Sequence, residues 1–231
     1  NYAYGDGGGI ALVDSSDMII VNVRLQDNIA RGRRIPGPGN RYRGKGGGIS
    51  IVDSDPILTD VEIMDNYAGM DGGGVYSLYS SPAFTNFTIS GNGGSGNLQR
   101  GGGVSCEATP NATFIGGSIS DNGNSDVGVG ARLGGGIAVG GTPSPVDTIF
   151  HVELTDVLIQ NNTSRWVGGG IFGSNISLSG CTIKENTAQS QGGGILSEGN
   201  IIFSSTNRCN IYENAIEDSN DVGHDIAIST N

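Results

Sequence analysis

A tetrad of Gly-Gly-Gly followed by Ile or Val begins at residues 7, 46, 72, 101, 134, 168 and 192. The spacings are 39, 26, 29, 33, 34 and 24 residues. Repetition at a period of roughly 20–50 residues marks a solenoid, a propeller or an array. A second motif lies between the tetrads. It reads Asn-Val-Arg-Leu-Gln-Asp-Asn at 22–28, Asp-Val-Glu-Ile-Met-Asp-Asn at 60–66 and Gly-Cys-Thr-Ile-Lys-Glu-Asn at 180–186. Seven such copies end on Asn28, Asn66, Asn92, Asn122, Asn162, Asn186 and Asn214.

Inside each copy the apolar residues alternate, as Val61 and Ile63 do around Glu62, which is the period of a strand. A second alternating run follows each tetrad, such as Ile49 and Ile51, and a third apolar stretch precedes the Asn motif, such as Pro56-Ile57-Leu58. No repeat carries a helix-length apolar face. Three short strands per turn describe an all-β parallel β-helix of about seven to eight turns, in which stacking buries what one turn cannot. A propeller blade needs ~40–50 residues, more than the shortest spacings allow. The Leu frame of a leucine-rich repeat is missing. The whole chain, 1–231, is expected to be one β-helical segment.

The recurring Asn residues suit a structural ladder, because Asn tolerates left-handed backbone and stacked amides hydrogen-bond along an axis. The tetrad glycines suit corners of positive φ or close approach. Of the 42 glycines, 21 lie in tetrads, so the glycine excess over the usual ~7% is a matter of backbone geometry rather than collagen or disorder. The chain carries 12 basic and 23 acidic residues, a net charge of −11, which argues against a nucleic-acid partner. The longest apolar run, Met18–Val21, is too short for a membrane span, which takes ~20 residues. The N-terminus shows no charged-then-apolar leader, so any export signal is expected to be absent or already removed. Three cysteines are too few for a disulfide scaffold; Cys181 and Cys209 occupy one slot in adjacent turns, either bonded or as buried thiols.

Both ends fall in mid-turn. Asn1 takes a ladder position, and Gly223-His224-Asp225-Ile226 stands where an eighth tetrad is due. A longer parent array or end-to-end stacking is therefore expected.

The interval from ladder Asn to the next tetrad varies, at 18, 6, 9, 12, 6 and 6 residues. Variable loops on one edge of a rigid scaffold are where function sits. The longest holds Arg31, Arg33, Arg34, Arg41, Arg43 and Lys45, six of the twelve basic residues. Arg100, Arg132 and Arg165 precede their tetrads on the same edge, with Trp166 beside the last. Together these ten residues are the candidate ligand-binding set, a basic and partly aromatic stripe. Arg suits bidentate carboxylate or sulfate contacts and Trp suits sugar stacking. The partner it suggests is an acidic glycan or an acidic patch on a surface protein; pairing with nearby Asp is the plainer alternative.

Asp14 and Asp53 are equivalent, as are Asp27 and Asp65, and stacked carboxylates offer calcium ligands. No full calcium loop is present and no other cofactor is suggested. His151 and His224 lack ligand-spaced partners. The outward residues of the Asn-motif strand show no paired carboxylates of the kind a glycosidase needs, so no catalytic residues are assigned. Val13, Val52, Tyr76, Leu78, Phe172 and Leu196 face outward after the tetrads and look like a packing surface, covered by loops or by a partner.

Ile183-Lys184-Glu185-Asn186-Thr187-Ala188, followed by Gly192-Gly193-Gly194-Ile195, resembles the repeats of the chlamydial polymorphic outer-membrane proteins. The first element there usually carries Phe and the second Gly-Gly-Ala, so the likeness is to the repeat class. It implies a right-handed parallel β-helix, export, and a cell-surface role such as adhesion, with no catalytic residues. The function expected is a non-enzymatic extracellular segment that presents loops. The alternatives are binding or processing of acidic polysaccharide, and a subunit of an extracellular filament.

Overall fold

A computed structural model describes residues 1–14, 18–32, 34–35, 41–42, 44–94, 100–123, 131–140, 151–218 and 224–228, with only the backbone of 34–35 and 41–42. The chain is an all-β parallel solenoid. Among the described residues there is no helix, hence none long and apolar enough to cross a membrane.

The strands that follow the tetrads stack as one eight-stranded parallel sheet in chain order, from Ile10–Val13 through Ile49–Val52 and Val75–Leu78 to Ile226–Ile228. A second sheet holds the Asn-motif strands, Ile19–Gln26, Ile57–Met64, Ala83–Ser90, Ala112–Ser120 and Val152–Gln160 and their successors. The sequence led us to expect two strands here; the last two turns have them, as Ile176–Ser179 with Thr182–Lys184 and Ile201–Phe203 with Asn210–Tyr212, but in the first five the third apolar stretch and the Asn motif form one long strand bent in the middle. The bend is a left-handed residue, Asn22, Asp60, Asn86, Gly116 or Asp156, which the pairing register skips. The third side of each turn is a pair of residues after the ladder Asn. These build a four-stranded sheet through Tyr2–Ala3, Ile29–Ala30, Tyr67–Ala68 and Gly93–Gly94, and a three-stranded one through Thr163–Ser164, Thr187–Ala188 and Ala215–Ile216. The long insertion carries its own antiparallel pair, Arg34–Ile35 with Arg41–Tyr42.

Each full turn is cornered by left-handed residues in register. The first tetrad glycines have φ of 59–72°, and the residues just before the ladder Asn have φ of 52–65°. Asp27, Asp65, Asp121, Glu185 and Glu213 hold the latter corner. Asp14 and Asp53 hold a further one after the tetrad strand. A backbone requirement thus accounts for the equivalence of these aspartates, since Asp and Asn reach this region more readily than most residues. The third tetrad glycine has a different reason. A Cβ on Gly74 would stand 3.0 Å from the Cγ and Nδ2 of Asn92.

The ladder is continuous. Each Nδ2 donates to the Oδ1 of the next turn, from Asn1 to Asn28 (2.9 Å), Asn66, Asn92, Asn122, Asn162, Asn186 and Asn214. Asn214 donates in turn to Asp225 Oδ1 at 2.9 Å. Asp225 stands in the third-glycine place of the last turn, and its carboxylate fills the slot of a ninth Asn.

The main core lies inside the coil. Phe84 and Phe114 stack at 4.9 Å with 7° between planes, and Phe87 meets both edge-on. Gly117 faces Phe87 in register and leaves room for its ring. Cys106 and Cys181 are buried there as free thiols, which burial pushes up to about 12 and about 11. Cys209 is also free and lies one rung from Cys181, because Thr182 pairs with Asn210.

A smaller apolar layer lies outside the tetrad sheet. Ala138, Phe172, Leu196 and Ala227 form it, with Leu133 and Val167 packed on top. Phe172, Leu196 and Tyr76 are thus covered, while Val52 and Leu78 are half-buried and Val13 stays exposed. The cover is the residue before each tetrad, which bridges its counterparts along Arg100, Leu133, Val167 and Gln191.

Candidate functional site

The corner that carries the ladder also builds the candidate site. The ladder Asn and the alanines two places on, Ala30 and Ala68, turn inward and are buried. Alternation along the strand therefore turns the residues between and beyond them outward. In the first three turns this yields a small grid. Asp27 and Asp65 stand before the ladder Asn, Tyr2, Ile29 and Tyr67 just after it, and Tyr4 and Arg31 two residues further. The register Tyr2–Ile29–Tyr67 aligns the middle column. Tyr2, Asp27, Ile29, Arg31, Asp65 and Tyr67 line a groove of about 330 Å³.

Arg31 Nη1 donates to Tyr2 Oη at 2.9 Å, and its guanidinium lies 5.9 Å from the Tyr2 ring centre. That bond to Tyr2 raises the Arg31 pKa above its ordinary value. Tyr2 meets Tyr4 edge-on at 5.1 Å. Asp65 Oδ2 accepts from Gln26 Nε2 at 3.3 Å. In the third turn Gly69 takes the Arg31 position, where any Cβ would strike the Arg31 carbonyl. One side of the groove is thus acidic, the floor aromatic and aliphatic, and the far rim cationic.

Lys45 does something else. Its Nζ donates to Tyr76 Oη at 2.7 Å and pairs with Asp71 Oδ2 at 3.3 Å and Glu107 Oε2 at 3.2 Å. Tyr76 Oη donates to the same Glu107 oxygen at 2.7 Å, and the ammonium lies 4.2 Å from the Tyr76 ring centre. Burial raises the Asp71 pKa; Lys45 pulls it down, but desolvation prevails with Glu107 adding to it. Burial and Glu107 likewise push the Tyr76 phenol far above its ordinary range. The residues before the first four tetrads alternate in sign, Asp6, Lys45, Asp71 and Arg100, and are joined in a row. Asp6 Oδ1 accepts from the Lys45 amide at 3.0 Å, and Asp71 Oδ1 accepts from the Arg100 amide at 3.0 Å. This row replaces, in the first half, the apolar cover that Leu133 and Val167 give the second.

The described basic residues therefore do not form one stripe, contrary to the expectation from sequence. Arg31 sits on the groove, Lys45 is locked in a half-buried ion-pair network, and the Arg132 guanidinium lies over the Trp166 ring at 4.6 Å. Arg165 and Trp166 are exposed beside it. Arg31 follows a ladder Asn closely, whereas Lys45, Arg132 and Arg165 stand one, two and three places before their tetrads. Arg33 and Arg43 lie outside the described residues, as do the side chains of Arg34 and Arg41. Tyr76 was anticipated only as packing, and Asp71 and Glu107 were missed. The alternating charges before the tetrads were the available signal.

Among the described residues no three His, Cys, Asp or Glu side chains converge on a metal position. Asp14, Asp53, Asp27 and Asp65 occupy left-handed corners, and the latter two border the groove. His151 Nε2 lies 3.3 Å from Glu153, and His224 Nδ1 accepts from the Ile216 amide at 3.4 Å.

No curated protein matches the chain. Within it, residues 180–198 match the Chlamydia polymorphic membrane protein repeat, a repeat of chlamydial outer-membrane and surface proteins, and the parallel strands around that stretch have the geometry of a β-helix.

Proposed function

We propose that this chain is a rigid β-helical segment of a cell-surface protein, and that it acts by presenting the ladder corner for binding rather than by catalysis. The observation that carries the proposal is the combination of an unbroken ladder with side chains that differ from turn to turn at one corner. An Asn column and glycine corners repeat identically, while the neighbouring outward positions change from Tyr and Arg to Gly, Thr and Gln. A stiff scaffold with a variable edge is suited to recognition. The surface repeat at 180–198 supports the location.

The test is attachment of beads coated with the purified chain to cultured epithelial cells. Shortening residues 33–43 to a Gly-Ser link, or replacing Arg132 and Trp166 with Ala, is expected to reduce attachment while the thermal midpoint holds. Attachment equal to that of uncoated beads sinks the proposal, and so does turnover of a polysaccharide by the unmodified chain. A second possibility, binding of an acidic glycan, draws on Arg132 stacked over Trp166 with Arg165 adjacent.

A further inference from the structure

We infer that the groove between Tyr2 and Tyr67 is a subsite for one neutral pyranose ring of an oligosaccharide. The inference rests on the proposal that this corner binds ligands, and it commits that corner to an uncharged sugar.

Four observations lead there. The first is size: a groove of about 330 Å³ lies at the small end of the range for small-molecule sites. The second is the floor. Tyr2, Ile29 and Tyr67 stand on three consecutive rungs, so the two tyrosines are two rungs apart, roughly 10 Å at the usual strand spacing. That interval holds one saturated ring lying across Ile29, with its C–H faces toward the tyrosines. Tyr offers a large amphipathic surface with few rotatable bonds, which keeps the entropy cost of binding low.

The third observation is the polar edge. Asp27 and Asp65 occupy one side on left-handed corners, held by the backbone rather than by flexible loops. Ionised carboxylates accept only, and sugar hydroxyls can donate to them. Arg31 stands on the opposite rim and donates only, which suits a ring or hydroxyl oxygen. A sugar hydroxyl answers both needs; an aliphatic or aromatic ligand answers neither. The fourth is charge. Two carboxylates against one guanidinium, itself bonded to Tyr2, leave the groove negative on a chain of net charge −11. A uronate or sulfated ring would meet that field at short range and be repelled. A basic peptide would be drawn to Asp27 and Asp65 but opposed by Arg31 on the facing rim.

The other places in the molecule carry less. The Lys45–Tyr76–Glu107 network is closed on itself, with buried Ser50 and Ser105 hydroxyls unbonded on either side of Tyr76 and no described opening to them. Cys181 and Cys209 are neighbours, but a bond between them would need an oxidant that nothing here supplies.

The experiment is titration of the full chain, by calorimetry and saturation-transfer NMR, with four probes. These are tetramers of β-linked glucose, mannose and N-acetylglucosamine, and a tetragalacturonate; an Arg-rich octapeptide is the fifth arm. Binding of at least one neutral tetramer is expected, changing less than twofold between 50 and 500 mM salt. Tyr67→Ala and Asp65→Asn should each weaken it tenfold or more. Tyr67→Phe, which keeps the ring, should weaken it by less than threefold. Circular dichroism and the thermal midpoint show whether each variant is folded. Tyr67 is only half-buried, and Asp65→Asn keeps a residue that tolerates the corner. The inference fails if no neutral tetramer binds at 10 mM, if only the uronate or the peptide binds, or if folded Tyr67→Ala binds as tightly as the parent. Cell attachment that persists without sugar binding would overturn the sugar subsite alone and leave the binding segment standing.

Discussion

Asn122 makes four side-chain hydrogen bonds with no exposure to water. Its Oδ1 accepts from the amide and Nδ2 of Asn92, and its Nδ2 donates to Ile89 O and Asn162 Oδ1. Replacing it with Ala leaves the Asn92 amide without an acceptor and opens a gap in the column. Because a buried unsatisfied group costs about 1–3 kcal/mol and a cavity adds to it, Asn122→Ala should lose about 2–4 kcal/mol in urea denaturation. Asp71 behaves differently, since burial raises its folded pKa above the ordinary carboxylate value. The folded state then holds its proton more tightly than the unfolded state. Its contribution is greatest below the unfolded pKa and declines as pH rises through the folded one. Asp71→Asn removes that dependence, so the stability of the parent relative to the variant should fall as the pH is taken from about 3.5 to 7. Equal slopes for both proteins in chemical denaturation would refute the assignment.

At the scale of the element, the tetrad is a set of three glycines with three causes. The first needs positive φ, the second is overrun by the carbonyl of the neighbouring turn, and the third faces the ladder. A Cβ on Gly103 would lie 3.0 Å from the Cγ and Nδ2 of Asn122 and 2.8 Å from Gly136 O. One on Gly5 meets nothing within 4 Å. Gly103→Ala should therefore lower the thermal midpoint by several degrees, with a loss of about 1–3 kcal/mol, while Gly5→Ala changes it by less than ~0.5 kcal/mol. The repeat was legible because corner and core constraints recur once per turn. Yet the sequence left hidden that the third apolar stretch and the Asn motif join into one bent strand in the first five turns and stay separate in the last two. Asn22 and its counterparts look like turn residues, and local chemistry alone does not distinguish a turn between strands from a left-handed kink within one. The outer apolar layer was half legible: Phe172 and Leu196 were seen as outward, but what covers them lies in the residues before the tetrads.

Over the whole molecule each turn pairs its strands with those of its neighbours, and side chains such as Lys45 reach at most one rung further among the described residues, so stability runs along one axis. Asp225 takes the place of a ninth Asn and accepts from both the amide and Nδ2 of Asn214. Asp225→Ala should speed hydrogen exchange at Asn214 and its neighbours at least tenfold and leave the amides around Asn92 and Asn122 unchanged. Asn122→Ala, in mid-array, should lower the global midpoint instead. If Asp225→Ala loosens the whole column equally, the turns are not coupled as nearest neighbours.

The sequence by itself determined the turn. Alternation, glycine corners and the Asn column are local requirements, each met within about twenty-five residues, and each is written in residue type. Only the tertiary structure decided which outward side chains meet. Lys45 and Glu107 are 62 residues apart, and Asp27 and Asp65 belong to turns separated by the longest insertion. Insertion lengths do not alter the register of the stacked strands, so residues far apart in the chain come to lie one or two rungs apart. A column of side chains is a property of that stacking. It turned an apparent basic stripe into an aromatic groove, a half-buried ion-pair network and a cation–π pair.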